Sequence, residues 1–389
     1  MAVRANGGGR PKITHVVRQF WPQKGGLEET VRQLCRHLRD GCDADVEVLT
    51  LNSSFSDGAV HPRTDSIDGI PVRRIPWFGS TRYPLAPDFL AATANADLLH
   101  VHAIDFFFDG LAAARPFRSI PMVASTHGGF FHTEFAARLK SIYFATVTRT
   151  SCRAYDVIGA SSVSDAERFA AIAGDRVQVI ENGVDIAKWA DAGSRSFAPV
   201  MIAIGRWSSN KQLASVFALL AELRRIDPAW RVIVAGMPHD VSRAQIDAWV
   251  QAAGVAEAVE IHQGPDTDEL RRLIGRASFL VSLSSYEGFG LSVVEGLSAG
   301  LVPVLSDIAN YRIFVERAGI GAIVPGESAA AAQVVAGLAA TVRGEADQQR
   351  AKAIAAATRY AWPAVAARWN DVYTAALARR SGDRRRAAA

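Results

Sequence analysis

Two doubly wound α/β domains, each a mostly parallel sheet wrapped by helices, are predicted for this sequence, and three observations carry the prediction. The chain has 389 residues, too many for one ordinary core and suited to two domains of typical size. Short apolar runs rich in β-formers alternate with helix-period segments from one end to the other. The alternation breaks once, at Asp191–Pro199, where Asp, Gly, Ser, Arg and Pro read as an interdomain linker. In such sheets, ligands are expected in the crevice beyond the strand carboxyl ends.

Taken in order, the first half predicts strands at Ile13–Arg18, Val46–Leu51, Leu98–His102, Met122–Ser125, Val157–Ala160 and Val177–Ile180. A helix lies between the first two, because Leu27, Val31, Leu34, Cys35 and Leu38 follow the spacing of a buried helical stripe. The second half predicts strands at Val200–Ile204, Val232–Ala235, Val259–Ile261, Phe279–Leu283, Val302–Leu305 and Ala322–Val324, with helices between them. The predicted division is a tail over 1–11, a first domain over 12–195, a second over 196–358, a helix over 359–378 crossing back to the first domain, and a basic tail over 379–389. No 20–50-residue repeat is present, which excludes a solenoid.

Composition narrows the function classes. Hydrophobic residues make up 49% and charged residues 21%, the balance of a soluble globular protein. The 43 basic and 39 acidic residues leave a formal charge of only +4, so no nucleic-acid partner is expected. Three cysteines without a CxxC pair encode neither a disulfide framework nor a thiolate zinc site. The Gly- and Arg-rich N-terminus has no apolar signal region, and no apolar run approaches the roughly 20 residues of a membrane span. The sequon at Asn52-Ser53-Ser54 is then fortuitous, and a cytoplasmic location is expected.

The most informative stretch runs from Ser284 to Gly296, follows a predicted strand and opens a helix. Gly288 and Gly290, with Phe289 and Leu291 between and after them, let backbone approach a ligand, and the free N–H groups of the helix start favour an anionic or hydroxyl-rich partner. Glu287 precedes the helix and Glu295 lies about a turn inside it, a separation that suits hydroxyls of two different sugars. The same pair also fits a helix-dipole partner and a solvated residue; the flanking strand, glycines and helix start favour the ligand reading. A second cluster, Gly205 to Lys211, turns directly after a strand and carries Arg206 and Lys211, a candidate diphosphate clamp. Neither a P-loop nor a dinucleotide fingerprint sits at a strand-to-helix turn, which disfavours an NTPase or dehydrogenase.

In the first half, Gly25-Gly26 enters the first helix as a small-residue loop, and Thr126-His127-Gly128-Gly129 follows a strand with a histidine placed to face a substrate. His100 and His102, on an apolar strand, read as core or rim histidines. Asp266-Thr267-Asp268 has the look of a metal-binding D-x-D, yet an N-cap with acids in the first helical turn accounts for it, so no metal and no cofactor are expected.

Jointly, the E-x₇-E pair with its internal G-F-G-L, the G-R…K turn, Glu181-Asn182-Gly183-Val184-Asp185 and T-H-G-G resemble the family 4 retaining glycosyltransferases. The resemblance runs from about residue 12 to residue 375, and is strongest to members that build bacterial exopolysaccharide. It implies the GT-B fold, two Rossmann-like doubly wound domains facing a central cleft. It also implies a GDP-mannose donor and a polyprenol-diphosphate-linked disaccharide acceptor. Residue by residue, it assigns Glu287 to hydroxyls of the donor sugar, Glu295 to the nucleotide ribose, and Arg206 and Lys211 to the diphosphate. It gives backbone N–H groups of Gly288, Phe289, Gly290 and Leu291 to the same charge, His127 to the transferred sugar, and Ser162 to a position near the interdomain cleft. Rival readings are a UDP-sugar donor with another acceptor, and a non-catalytic sugar-nucleotide-binding protein.

The segment Thr133–Asp156 predicts a helix whose stripe is Phe135, Leu139, Ile142 and Tyr143, continued by Thr146. Arg138, Arg149 and Arg153 lie within roughly 60° of Phe135. Cations bordering an apolar face suit an anionic membrane surface, with Arg379, Arg380 and Arg384–Arg386 adding attraction. Peripheral attachment to the cytoplasmic face of the inner membrane is therefore expected.

Overall fold

A computed structural model describes residues 10–42, 44–127 and 141–387. The chain forms two units, residues 1–183 with 362–389, and Val184–Ala361.

The first unit is built on β1 (Lys12–Val16), α1 (Gly26–Gly41), β2 (Asp45–Leu51), β3 (Thr64–Ile67), β4 (Ile70–Ile75), a small hairpin of β5 (Phe78–Ser80) and β6 (Tyr83–Leu85), α2 (Phe89–Ala92), β7 (Leu98–His102), α3 (Phe106–Ala114) and β8 (Met122–Ser125). It continues with α4 (Arg149–Cys152), β9 (Val157–Ala160), α5 (Val163–Ala173) and β10 (Val177–Val179). Its eight-stranded sheet has the order β10-β9-β8-β7-β1-β2-β4-β3, parallel throughout except for the β3–β4 hairpin. That hairpin was not legible from apolar alternation. Its turn is Asp68-Gly69, both at positive φ (52° and 76°), the dipeptide signal of a two-residue hairpin.

Because β1 and β7 pair in parallel with His15 opposite His100, alternate residues serve opposite faces of the sheet. Val16, Leu99, Val101 and Ala124 face a core shared with α3 and α5. Ile13, Val17, Leu98 and Val123 face α1 and the long last helix, whose Trp362, Val365, Trp369 and Tyr373 complete that second core. Trp369 and Tyr373 are 3% and 1% exposed. Burying an aromatic ring removes roughly 150–250 Å² from water, about 4–6 kcal/mol each as an upper bound.

The second unit contains β11 (Val200–Ile204), α6 (Leu213–Ile226), β12 (Arg231–Gly236), α7 (Arg243–Ala252), β13 (Val259–Gln263), α8 (Thr267–Ile274), β14 (Phe279–Ser282), α9 (Leu291–Ser298), β15 (Val302–Ser306), α10 (Ala309–Ala318), β16 (Ala322–Val324), α11 (Ser328–Gly344) and α12 (Ala346–Ala357). Its sheet is fully parallel with the order β13-β12-β11-β14-β15-β16, so the order reverses between β11 and β14. This is the doubly wound arrangement whose ligands sit at the reversal.

Two expectations about organisation are corrected. The linker predicted at Asp191–Pro199 belongs to the second unit, because Arg350 of α12 donates to the carbonyls of Gly193 (2.7 Å) and Ser194 (3.0 Å) and pairs with the Asp191 carboxylate. The Gly193 and Ser194 N–H groups bond to Ala299 (2.8 Å) and Ala277 (3.0 Å), so its polar composition reflects backbone satisfied by tertiary contacts. The chain instead passes between units at Gly183–Val184 and returns at Ala361–Trp362. The last helix, α13 (Trp362–Ala387), belongs to the first unit as expected, but it runs on through the stretch read as a basic tail, which is rich in good helix formers.

Of the helix predicted over 133–156, residues 133–140 lie outside the described residues, as do Gly128, Gly129 and the first nine residues of the predicted N-terminal tail. The remainder is helical to Cys152, with a π-pitched stretch at Phe144–Thr148. Of the predicted stripe, Ile142, Tyr143 and Thr146 fall within the described part. Ile142 is 62% exposed and Thr146 is exposed, whereas Thr148, Ser151 and Cys152 turn inward. Arg149 and Arg153 are exposed. Among the described residues no helix is long and apolar enough to cross a membrane.

Candidate functional site

In the second unit the strand-end loops at the order reversal are stitched together by hydrogen bonds. After β11, Gly205 sits at φ +136°, which glycine tolerates, and the chain swings through Arg206 to the buried Trp207. A short 3₁₀ turn, Ser209–Lys211, and a left-handed Gln212 then launch α6. After β14, Ser285 N–H donates to the Asn210 carbonyl (2.8 Å) and Asn210 Nδ2 donates to the Tyr286 carbonyl (3.1 Å). Asn310 Nδ2, from α10, bridges the carbonyls of Glu287 (2.6 Å) and Gly288 (2.8 Å). The loop carrying Glu287 is therefore fixed from both sides.

This stitching brings Lys211 and Glu287 into an ion pair, with side chains 20% and 14% exposed. Glu287 also accepts from Ser284 Oγ (3.0 Å). The two residues that the sequence reading gave to separate parts of one ligand thus neutralise each other here. Arg206 is exposed and, with Gly205, Trp207, Lys211 and Ser282, lines a solvent-open hollow. Gly288 has open space where a side chain would stand, and Gly290 caps α9 in the left-handed region (φ 89°), with Phe314 and Tyr311 3.3 Å from the position of an added Cβ. Phe289 packs at 5.7 Å from the Tyr360 ring, a core role alongside any backbone contribution, while Leu291 is 51% exposed.

Glu295 lies in α9 and is hydrogen-bonded to Trp189. Burial raises its carboxyl above the usual carboxylate range, and the Trp189 bond and the Lys188 charge act against that rise. Asp266 caps α8 by accepting from Glu269 N–H (2.8 Å), the role expected of it in place of metal binding.

In the first unit, Gly25 is the extended N-cap of α1 (φ −144°), Gly26 is the helix's first residue, and both are exposed. The Glu28 carboxylate folds back over Gly25 into the space a side chain there would need, and burial raises its pKa. His127 follows β8 in the left-handed region (φ 52°), a conformation uncommon for a residue with a Cβ. Its Nε2 lies 3.0 Å from His102 Nδ1, and His102 Nε2 lies 3.0 Å from His15 Nδ1. Burial holds His127 down to about 4 and His15 to about 3. His100 is bonded to Tyr373 OH and Ser125 Oγ, both at 2.7 Å, as a satisfied core histidine.

Ser162 is buried and caps α5, accepting from Asp165 N–H at 3.2 Å and meeting Ser164 Oγ at 3.1 Å. Its hydroxyl thus holds the helix start, and its O–H proton is left to be donated elsewhere. Sequence reasoning missed Asn210, Asn310, Trp189 and His15. Asn310 carried a legible signal, an amide just inside a helix that follows a strand. His15, between Thr14 and Val16 of β1, carried none.

Residues 24–188 match the family described as Glycosyltransferase Family 4, and residues 189–359 match Glycosyl transferases group 1. The chain is 43% identical to the GDP-mannose:cellobiosyl-diphosphopolyprenol alpha-mannosyltransferase of Komagataeibacter xylinus, over 95% of this chain and 94% of that one. It is 42% identical to the protein of the same description from Xanthomonas campestris, over 94% and 97%. Among solved structures it is similar to sucrose-phosphate synthase from Thermosynechococcus elongatus, with a TM-score of 0.69 at 18% identity, covering 95% of this chain and 100% of that one, a likeness of fold.

Proposed function

Because the chain belongs to glycosyltransferase family 4, with the GT-B fold, we propose that it moves mannose, with retention, from GDP-mannose onto a cellobiosyl-diphosphopolyprenol acceptor in an α-1,3 linkage. The observation that carries the reading is the joined Lys211–Glu287 pair at the reversal of a doubly wound sheet, beside an exposed Arg206 and an open glycine loop.

Arriving diphosphate competes with Glu287 for Lys211, so donor binding releases the carboxylate to accept hydroxyls of the mannose. Arg206 and the N–H groups at the start of α9 take further phosphate charge. Glu295 receives ribose hydroxyls, and His127 acts on the transferred sugar. Gly26 leaves the start of α1 open to a ligand, and at Gly25 a ligand takes the place of the Glu28 carboxylate folded over it.

Breaking the sugar–phosphate bond sends its electron pair onto the diphosphate and leaves positive charge on the anomeric carbon. Cations and helix N–H groups preorganised around the leaving oxygens stabilise that transition state. The acceptor hydroxyl attacks from the face the diphosphate is leaving, its oxygen bonds to the anomeric carbon, and its proton passes to a departing phosphate oxygen.

Attachment to an anionic membrane surface, on the cytoplasmic side, is part of the same reading. It is supported by the exposed Ile142, Arg149 and Arg153 of one helical segment. The test is transfer of radiolabel from GDP-mannose into organic-extractable lipid-linked trisaccharide, with UDP-sugars as controls. Glu287→Ala is expected to abolish transfer. Full activity in that variant, or preference for a UDP-sugar, would overturn the reading; donor binding without any transfer would revive a non-catalytic role.

A further inference from the structure

The first unit contains a continuous file of imidazoles, from His127 at the end of β8, through His102 at the end of β7, to His15 inside β1. His15 and His102 are 0% exposed, and their rings stack at 5.2 Å with planes 15° apart. Among the described residues the far nitrogen of the file, His15 Nε2, is buried without a hydrogen-bond partner. That orphan gives the file a direction.

A neutral imidazole has one N–H and one bare nitrogen, so three in series can be protonated in two ways. If the N–H groups point inward, from His127 Nε2 to His102 Nδ1 and from His102 Nε2 to His15 Nδ1, the orphan at His15 is a buried N–H donor. If they point outward, from His15 Nδ1 to His102 Nε2 and from His102 Nδ1 to His127 Nε2, the orphan is a bare acceptor. Buried N–H groups without a partner are the rarer defect, so the outward arrangement is favoured. His127 Nε2 is then an acceptor, and its proton must stand on Nδ1.

We propose that His102 and His15 are positioning residues that hold His127 in the Nδ1–H form, so that it presents a hydrogen-bond donor to the transferred sugar. The proposal rests on the assignment of His127 to that sugar. The left-handed backbone at His127 (φ 52°) and Ala103 (φ 74°), the latter directly after His102, aligns the two strand ends that carry the contact. Burial disfavours a charge on any of these rings, so the file sets a tautomer and does not store a proton. The nitrogens of His15, His100 and His102 also lie within 4.8 Å of one another, a spacing a metal could use. Apart from His15 Nε2, each of their ring nitrogens already has a hydrogen-bond partner, which favours the file over a metal site.

Long-range ¹H–¹⁵N spectra of the full chain with ¹⁵N-labelled imidazoles, near neutral pH, read the protonated nitrogen of each ring. The His127 signals are identified by their loss in His127→Asn. The expected result is a protonated Nδ1 and a bare Nε2 on His127; the opposite pattern overturns the proposal without need of any positioning variant. In His15→Phe the His127 pattern is expected to become mixed, with kcat lower by about tenfold at unchanged donor KM. His15→Asn, which sets an amide N–H near the place of Nδ1, is expected to recover most of that loss. An unchanged His127 pattern in a folded His15→Phe variant would also overturn it. Should the spectra show the expected tautomer while His127→Ala still transfers mannose at the full rate, the assignment of His127 to the sugar fails and the proposed target of the file fails with it.

Discussion

Uncoupling Lys211 from Glu287 is the perturbation with the clearest magnitude. Both side chains are mostly buried, 20% and 14% exposed, so their attraction acts in a medium less polar than water. Two unit charges about 4 Å apart at an effective dielectric near 20 attract by about 4 kcal/mol. Desolvation offsets much of this, but removing one partner leaves the other charge partly buried and uncompensated. Lys211→Met is therefore expected to cost about 2 kcal/mol, and Glu287→Gln about 1 kcal/mol because Lys211 can reach solvent. The double variant should lose only about 1–1.5 kcal/mol, a coupling of about 1.5–2 kcal/mol. Urea unfolding of the four proteins measures it. In donor binding, Lys211→Met should weaken GDP-mannose by about 10- to 100-fold, the loss of a charge-assisted phosphate bond. Stabilities that add to within about 0.5 kcal/mol would refute the pair as a coupled unit and the competition built on it.

Other expectations follow from the same geometry. His15, His100, His102 and His127 all have pKa values depressed by burial, so each gains a proton on unfolding when the pH falls below about 6.5. Stability should be flat above that value and fall as pH drops toward 4, with a slope of at most about 5 kcal/mol per pH unit for four protons; urea midpoints between pH 8 and 5 test this, and His15→Asn should make the slope shallower. Arg206→Ala should leave urea stability within about 0.5 kcal/mol, since the side chain is exposed, yet weaken the donor about tenfold in titration calorimetry at low salt. Gly290→Ala should cost at least about 1–2 kcal/mol from its left-handed backbone and its contacts with Phe314 and Tyr311, read as a lower unfolding temperature.

The sheets were legible because a buried parallel strand must be a short apolar run, and β7, β8, β9, β11 and β16 lie where those runs stand. The β3–β4 hairpin escaped because its strands carry Asp, Ser, Arg and Pro, and only the Asp68-Gly69 turn betrays it. Within the candidate site, the Glu287 loop and the Gly205–Lys211 turn were legible from glycine and charge at strand ends. Their ion pair was not, since strand order alone sets β11 beside β14. The polar stretch at Asp191–Pro199 misled for a similar reason: Arg350, far along the chain, supplies the partners that make it part of a packed unit. His15 was silent because its neighbours, His100 and His102, arrive through sheet pairing and not through sequence proximity.

The placement of α13 bears on the order in which the chain acquires structure as it is made. Val184–Ala361 is one uninterrupted segment and holds all its own strands, so it can complete its fold without any residue made after Ala361. The earlier-made unit cannot. His100 must wait for Tyr373, a partner 273 positions later, and the groove over β1 and β7 stays open until Trp369 is released to fill it. The half synthesised first is thus the half completed last, its apolar groove standing unfilled until α13 is made.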